Sequence, residues 1–190
     1  MRTSRFRAAL VTAAAAALLT VAGATTAAAA PTAANPTAAN PIGQDPVFQP
    51  AADTPVTALV TKLTHSQATS RLRAAGISWT SSGGCSDRNQ PTCTSFDQVN
   101  LPTIQGAETL KRASGCALTI TGGTETGHAS GTYSHWNGYK LDYRLSGCLD
   151  SYVKNTFTSI GGSKWRSGSG NVYYLEGNHW DVTYYNCGGC

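Results

Sequence analysis

Two stretches in the first half of the folded region have the pattern of helices. They span residues 66–75 and 104–113, and a glycine follows each of them, Gly76 after the first and Gly115 two residues after the second. Glycine is common where helices end, because it adopts the left-handed conformation there at little cost. The pattern therefore predicts two helices that end at these glycines. A further helix-like stretch opens at Thr54.

Beyond residue 116 the pattern changes to that of β-strands. Between residues 139 and 145, apolar side chains alternate with Lys140, Asp142 and Arg144, which share the opposite face of the predicted strand. Further predicted elements are strands at 117–121, 172–175 and 180–185, a helix at 149–157 and a Gly/Ser-rich loop at 161–170. Because helices come first and strands afterwards, we expect an α+β fold in which N-terminal helices pack on a small antiparallel sheet.

The N-terminus has the layout of a secretory signal peptide. Three arginines precede an apolar run of about a dozen residues, and small residues follow up to position 30. We expect residues 1–29 to be removed on the general secretory route, which predicts a secreted or wall-associated product with no membrane anchor. Residues 30–53, rich in Pro, Ala, Thr and Asn, are predicted to be a linker or propeptide. The folded domain then covers residues 54–190.

Charge excludes one class of partner. The chain has 14 basic and 10 acidic residues, and removing the three arginines of the signal peptide from the 14 leaves 11 against 10. No basic stripe remains that would bind nucleic acid. We expect a monomer whose partner is a peptide substrate.

Six cysteines lie in the exported part of the chain, and an even number in such a protein predicts three disulfides. Cys85 and Cys93 bracket a short polar loop, so we expect them to be bonded to each other. Cys116, Cys148, Cys187 and Cys190 allow three arrangements, which the sequence leaves open. The final Cys-Gly-Gly-Cys is interpreted as a C-terminal staple rather than a redox or zinc motif.

Two short motifs in the strand-rich half carry candidate chemistry. His135 lies in a loop and Asp142 on the strand that follows it, spaced as HxxGxxxD. Glu176 and His179 flank a tight corner between two predicted strands, spaced as ExxH. Two histidines and one carboxylate are a three-ligand zinc set that leaves a position for water, and Glu176 would accept the proton of that water. Each motif alone also occurs by chance, in which case Asp142 would pair with a neighbouring cation.

In this order, the two motifs resemble those of the zinc D-alanyl-D-alanine carboxypeptidases and the VanY-type and L-alanyl-D-glutamate peptidases of peptidoglycan metabolism. The resemblance covers roughly residues 102–186. It implies a hedgehog/D,D-peptidase fold, zinc held by His135, Asp142 and His179, and Glu176 as the catalytic base. The stretch 121–134 resembles an actinobacterial branch of this family.

The chain also departs from the family pattern. Family members carry an arginine after the first strand that stabilises the tetrahedral intermediate, whereas this chain has Glu125 in that region. Lys140 stands where a small residue is usual, and its cation is a candidate replacement for the arginine. The alternative is that Lys140 only neutralises Glu125 or Asp142.

The resulting prediction is a secreted Zn²⁺ peptidase that cleaves peptidoglycan stem or cross-bridge peptides. Two alternatives stay open. The first is a secreted peptidase of other proteins or peptides, because substrate choice depends on loops. The second is a protein without catalysis, either a zinc-containing wall-binding module or a protease inhibitor.

Overall fold

A computed structural model of the chain describes residues 60–185. Its helices are α1 (His65–Ala74), α2 (Leu101–Ser114) and α3 (Gly147–Thr156). Its strands are β1 (Lys62–Leu63), β2 (Ser78–Trp79), β3 (Val99–Asn100), β4 (Thr119–Gly122), β5 (Lys140–Arg144), β6 (Thr158–Gly161), β7 (Lys164–Arg166), β8 (Val172–Glu176) and β9 (His179–Thr183). Within this range, no helix is long and apolar enough to cross a membrane.

Seven of the strands form one sheet in the order β2-β4-β5-β9-β8-β7-β6. All neighbours in it are antiparallel except β2 and β4, which run parallel. Strands β1 and β3 form a separate antiparallel pair. The predicted combination of helices with a mostly antiparallel sheet is confirmed, although the sheet is larger than expected and contains one parallel pair.

The ends of the first two helices follow from local chemistry. Thr64 precedes α1 and accepts a hydrogen bond from the backbone of Gln67, whose side chain accepts one from the backbone of Thr64 in return. Gly115 ends α2 in the left-handed conformation, with φ of 67°. Both helices therefore end at the predicted glycines, with Gly76 just beyond α1 at φ of 69°.

The two faces of the sheet are different in character. Leu141 and Tyr143 of β5 point into the hydrophobic core, together with Trp180 and Val182 of the neighbouring strand β9. The alternate residues of the same strands point to the opposite face, which we call the charged face. Residues of the segment 123–138 contact this face, and its side chains Lys140, Asp142 and Asp181 are buried as well.

One predicted loop and one predicted helix have different outcomes. The Gly/Ser-rich stretch 161–170 was expected to be a loop, but β7 lies within it and pairs with β6 and β8. The reason is packing, because the ring of Trp165 in β7 contacts that of Trp180 at 5.4 Å between centroids. The helix-like stretch that opens at Thr54 lies outside the described residues.

Two disulfides staple the described part of the chain. Cys85 and Cys93 are bonded, as predicted. The second bond joins Cys116, which follows α2, to Cys148 in α3, and it selects one of the arrangements that the sequence left open. Two such bonds are typical of an extracellular protein. Cys187 and Cys190 lie outside the described residues.

Candidate metal site

The first motif places its two residues on different elements. His135 lies in the segment between β4 and β5, where its backbone carbonyl accepts a hydrogen bond from Gly138. Gly138 has φ of 80°, a conformation that other residues avoid, so the turn that returns the chain to β5 depends on glycine. Asp142 lies in the middle of β5. Its carboxylate approaches Gly122 of β4 so closely that a Cβ atom there would overlap it.

The second motif forms the turn between β8 and β9. Glu176 and His179 are a directly paired couple in this hairpin, so their side chains project from the same face. Gly177 takes a positive φ of 59° at the first position of the two-residue turn. Because β9 also pairs with β5, His179 lies close to Asp142 on the charged face.

Three imidazoles surround the Asp142 carboxylate. Its Oδ1 atom lies 3.2 Å from Nε2 of His135 and 3.5 Å from Nε2 of His179. Its Oδ2 atom lies 3.9 Å from Nδ1 of His128. We call these four residues the histidine cluster. Glu176 stands beside it, with Oε2 at 3.9 Å from Nε2 of His179.

Each imidazole of the cluster is held from behind by an oxygen atom. His135 donates from Nδ1 to the carbonyl of Gly123 at 2.6 Å. The Nδ1 atom of His179 lies 3.1 Å from the side-chain oxygen of Asn178. Since a carbonyl only accepts, the proton of each neutral ring is on Nδ1, and the lone pair on Nε2 faces Asp142. Metal-binding histidines have this arrangement.

The third imidazole follows the same arrangement with its nitrogens exchanged. His128 has Nε2 at 3.3 Å from the carboxylate of Glu125. That carboxylate is buried and accepts hydrogen bonds from the backbone of Ser95 and Gly123. A carboxylate at this distance requires the proton on Nε2, so Nδ1 of His128 is the nitrogen directed to Asp142.

The buried atoms at the centre of the cluster lack ordinary partners. Within residues 60–185, neither Nε2 of His135 nor Oδ1 of Asp142 makes a hydrogen bond of good geometry. Both side chains are nearly inaccessible to solvent, with 1% and 8% exposed. Buried polar atoms are rarely left this way. A cation between the two atoms would satisfy both.

The charges of Asp142 and the imidazoles shift each other's pKa values. Burial lowers the pKa of His135, but the charge of Asp142 and its contact with the ring outweigh burial and raise the pKa to about 9. Burial would raise the pKa of Asp142, yet His135 and then His179 and His128 hold it well below its usual value. The Asp142 carboxylate and the imidazoles therefore stabilise each other's charged forms.

Lys140 lies on the same face of β5 as Asp142, as predicted, but it pairs with a different carboxylate from those suggested. Its ammonium contacts Asp181 at 2.6 Å, and both side chains are only 1% exposed. The sequence suggested Glu125 or Asp142 as the anion that Lys140 neutralises, and the structure shows Asp181 instead. A buried ammonium already neutralised at this distance is poorly placed to stabilise a developing oxyanion, so this role does not enter our proposal.

His128 is the residue that the motifs missed. His128, His135 and Asp142 offer ligand atoms that all lie within 4.8 Å of one another, so this group could hold a metal ion. A signal was present in the sequence, because Glu125 and His128 have the same ExxH spacing as Glu176 and His179. The predicted set thus shares two residues with this group and differs in the third.

Comparison of the chain with protein-family models, with curated proteins and with solved structures finds no match.

Proposed function

We propose that this protein is a secreted zinc-dependent peptidase that hydrolyses a peptide bond in peptidoglycan stem or cross-bridge peptides. In this proposal His135, Asp142 and His179 hold the metal and Glu176 is the general base. The observation that carries it is the convergence of imidazole nitrogens on one buried carboxylate, each ring fixed from behind by an oxygen. The HxxGxxxD and ExxH motifs supply the reaction class.

The spacings between the shared carboxylate and the two imidazoles fit zinc. In a tetrahedral site with bonds of about 2.0–2.2 Å, the ligand atoms lie roughly 3.3–3.6 Å apart. The spacings from Oδ1 of Asp142 are 3.2 Å to His135 and 3.5 Å to His179. The donor set of two imidazoles and one carboxylate is also one that zinc prefers. Bound zinc would supply a Lewis acid that activates water and polarises the scissile carbonyl.

The chain itself would provide proton transfer and access. The Glu176 side chain is 31% exposed and that of His179 27% exposed, whereas His135 is buried. The cluster is therefore open to solvent and substrate on the side of the β8–β9 turn. Glu176 would take the proton of the attacking water and return it to the leaving amine. Its Oε2 atom lies 3.9 Å from Nε2 of His179, next to the proposed donors, which supports this role.

His128 supports a second candidate, a closed metal site without catalysis. If His128 joined the other three residues, four protein donors would surround the metal, as in structural zinc sites. The ring stacking argues against this arrangement. The His128 and His135 rings are stacked with centroids 3.8 Å apart, whereas two imidazoles bound to one tetrahedral zinc have centroids on the order of 5 Å apart. His128 would have to move in order to bind the same ion as His135.

Glu176→Gln tests the proposed chemistry. Glutamine keeps the size of the side chain but cannot accept a proton, so the variant should keep one zinc per chain. Its turnover on a muropeptide should fall by about 100- to 10,000-fold. Zinc content is measured by mass spectrometry and turnover by chromatography of the products. Turnover near that of the wild type in a zinc-loaded variant would refute Glu176 as the base.

A pair of histidine variants separates the two candidates. His179→Ala should abolish stoichiometric zinc, and His128→Ala should leave zinc in place, because only His179 belongs to the proposed ligand set. Zinc affinity is compared by competition with a chromophoric chelator. Loss of zinc in both variants would favour the closed, non-catalytic site. Retention in His179→Ala would exclude the proposed set.

A further inference from the structure

A cleft adjoins the histidine cluster, and it combines polar side-chain groups with apolar surface, a composition suited to a sugar. The cleft measures about 310 Å³, and its lining comprises Glu125, Thr126, His128, Ser130, Gly131, Ser134, Trp136 and Asn137. Hydroxyl, amide, imidazole and carboxylate groups line it together with one indole. Its lining contains no Ala, Val, Leu or Ile.

Trp136 supplies a flat apolar surface at this cleft. Within residues 60–185, it is the one large hydrophobic residue that is exposed, at 43%. It directly follows the buried His135, so its position is tied to that of the cluster. Indole faces are well suited to stack on the C–H face of a pyranose ring.

The indole is also held rigidly. The guanidinium of Arg88 lies over the ring, 3.7 Å from its centroid, and donates a hydrogen bond to the carbonyl of Trp136. Arg88 belongs to the loop that the Cys85–Cys93 disulfide closes, and its Nε atom also donates to the carbonyl of Thr124. The disulfide loop therefore fixes the orientation of the indole before any ligand arrives, which favours affinity.

The rest of the cleft is braced in the same way. The Asn137 side chain donates to the carbonyls of Gly131 and Thr132, and its backbone donates to the hydroxyl of Ser134. Hydroxyl and amide groups in a preformed wall are the groups that recognise sugar hydroxyls and N-acetyl groups. His128 connects the cleft to the cluster, since its Nδ1 lies 3.9 Å from Asp142.

We infer that this cleft binds an amino-sugar ring of the substrate, so that the protein prefers sugar-linked peptides to free peptides. The inference rests on the proposed function for the identity of the reaction, but the binding itself does not require catalysis. Trp136 would stack on the ring, and Ser130, Thr126 and Asn137 would contact its polar substituents.

The test measures binding and preference separately. Binding of an N-acetylglucosamine oligomer and of N-acetylmuramyl dipeptide is followed by calorimetry, with the catalytically silent Glu176→Gln protein. The wild type is then given one stem peptide in two forms, linked to the sugar and free, and the two turnover rates are compared. We expect the sugar to improve binding, and we expect Trp136→Ala to weaken the binding of both sugar ligands by at least about 10-fold. Trp136→Phe should weaken the binding of both sugar ligands less than Trp136→Ala does.

A matched control comes from a second arginine–tryptophan pair. Arg73 lies over the ring of Trp79 at 4.9 Å, away from the cleft. Arg88→Ala should weaken sugar binding because it frees the indole, whereas Arg73→Ala should not change it. Equal binding of sugar-linked and free peptides by the wild type, or full sugar binding by Trp136→Ala, would overturn the inference. Sugar binding without hydrolysis of any peptide would instead refute the proposed function and leave the cleft assignment standing.

Discussion

The two faces of the central sheet treat buried polar groups in opposite ways. On the core face, Tyr143 and Tyr184 satisfy each other through a hydrogen bond of 2.7 Å between their hydroxyls. Trp180 donates from its indole to Asp150 of α3 at 2.7 Å. On the charged face, His135 and Asp142 point unsatisfied atoms at each other. These core-face groups are satisfied within the chain, whereas the facing atoms of His135 and Asp142 are suited to share a cation.

The charged face also contains a carboxylate that already has a cationic partner within the chain. Asp142 and Asp181 are directly paired across β5 and β9, so they occupy equivalent positions. Asp181 is neutralised by an internal cation, the ammonium of Lys140. Asp142 is surrounded by imidazoles, which neutralise it only when protonated and can instead share a metal ion with it. Because Asp181 already has a cationic partner, Asp142 is the carboxylate that we propose as the metal ligand.

The largest expected effect is on metal binding. Asp142→Ala should reduce zinc from one per chain to an undetectable level, because it removes the donor that the imidazoles share. Asp150→Asn is the control on the opposite face, since asparagine still offers an oxygen to Trp180. Both proteins are dialysed against a zinc buffer and analysed by mass spectrometry. Stoichiometric zinc in Asp142→Ala would mean that the metal binds elsewhere.

A smaller effect, on stability, is expected from breaking the ion pair between Lys140 and Asp181. Lys140→Met leaves Asp181 buried without its cation and should lower the free energy of unfolding by about 3–5 kcal/mol. The double variant Lys140→Met/Asp181→Leu removes both charges and should recover most of this loss. Urea unfolding in the presence of a chelator measures both without a contribution from metal. A loss below about 1 kcal/mol would indicate that Lys140 is solvated or free to act elsewhere.

The sequence predicts the elements better than the arrangement of side chains. The glycines after α1 and α2 mark the helix ends because the left-handed conformation is a local property. The alternation in β5 assigns Leu141 and Asp142 to opposite faces for the same reason. The strand β7 was not predicted, because Trp165 in it is held by contact with Trp180, which lies outside the local sequence pattern.

In the candidate site, too, local spacing predicts some positions and long-range packing determines the others. Spacing alone brings Glu176 beside His179, since a two-residue turn makes them a pair. The approach of His128 to Asp142 depends on how the segment 123–138 folds over the sheet, which no local pattern encodes. The partner of Lys140 likewise depends on the register of β5 against β9. Long-range register and loop path are therefore what the sequence leaves undetermined.

The smallest expected effect tests the core face by raising the pH. Burial raises the pKa of Tyr173 well above its usual value, with a further contribution from Tyr184. The folded state thus keeps a proton on Tyr173 at a pH where the unfolded chain, with an ordinary pKa near about 10, has released it. Stability from this group is complete below about pH 10 and is lost as the pH rises further, by about 1.4 kcal/mol per pH unit.

Tyr173→Phe has no ionisable hydroxyl at this position, so the difference in unfolding free energy between wild type and variant should change by that amount per pH unit above pH 10. Urea unfolding of both proteins between pH 9 and 11, in chelator, measures the difference, and identical slopes would show that the hydroxyl of Tyr173 ionises as readily in the folded protein as in the unfolded chain.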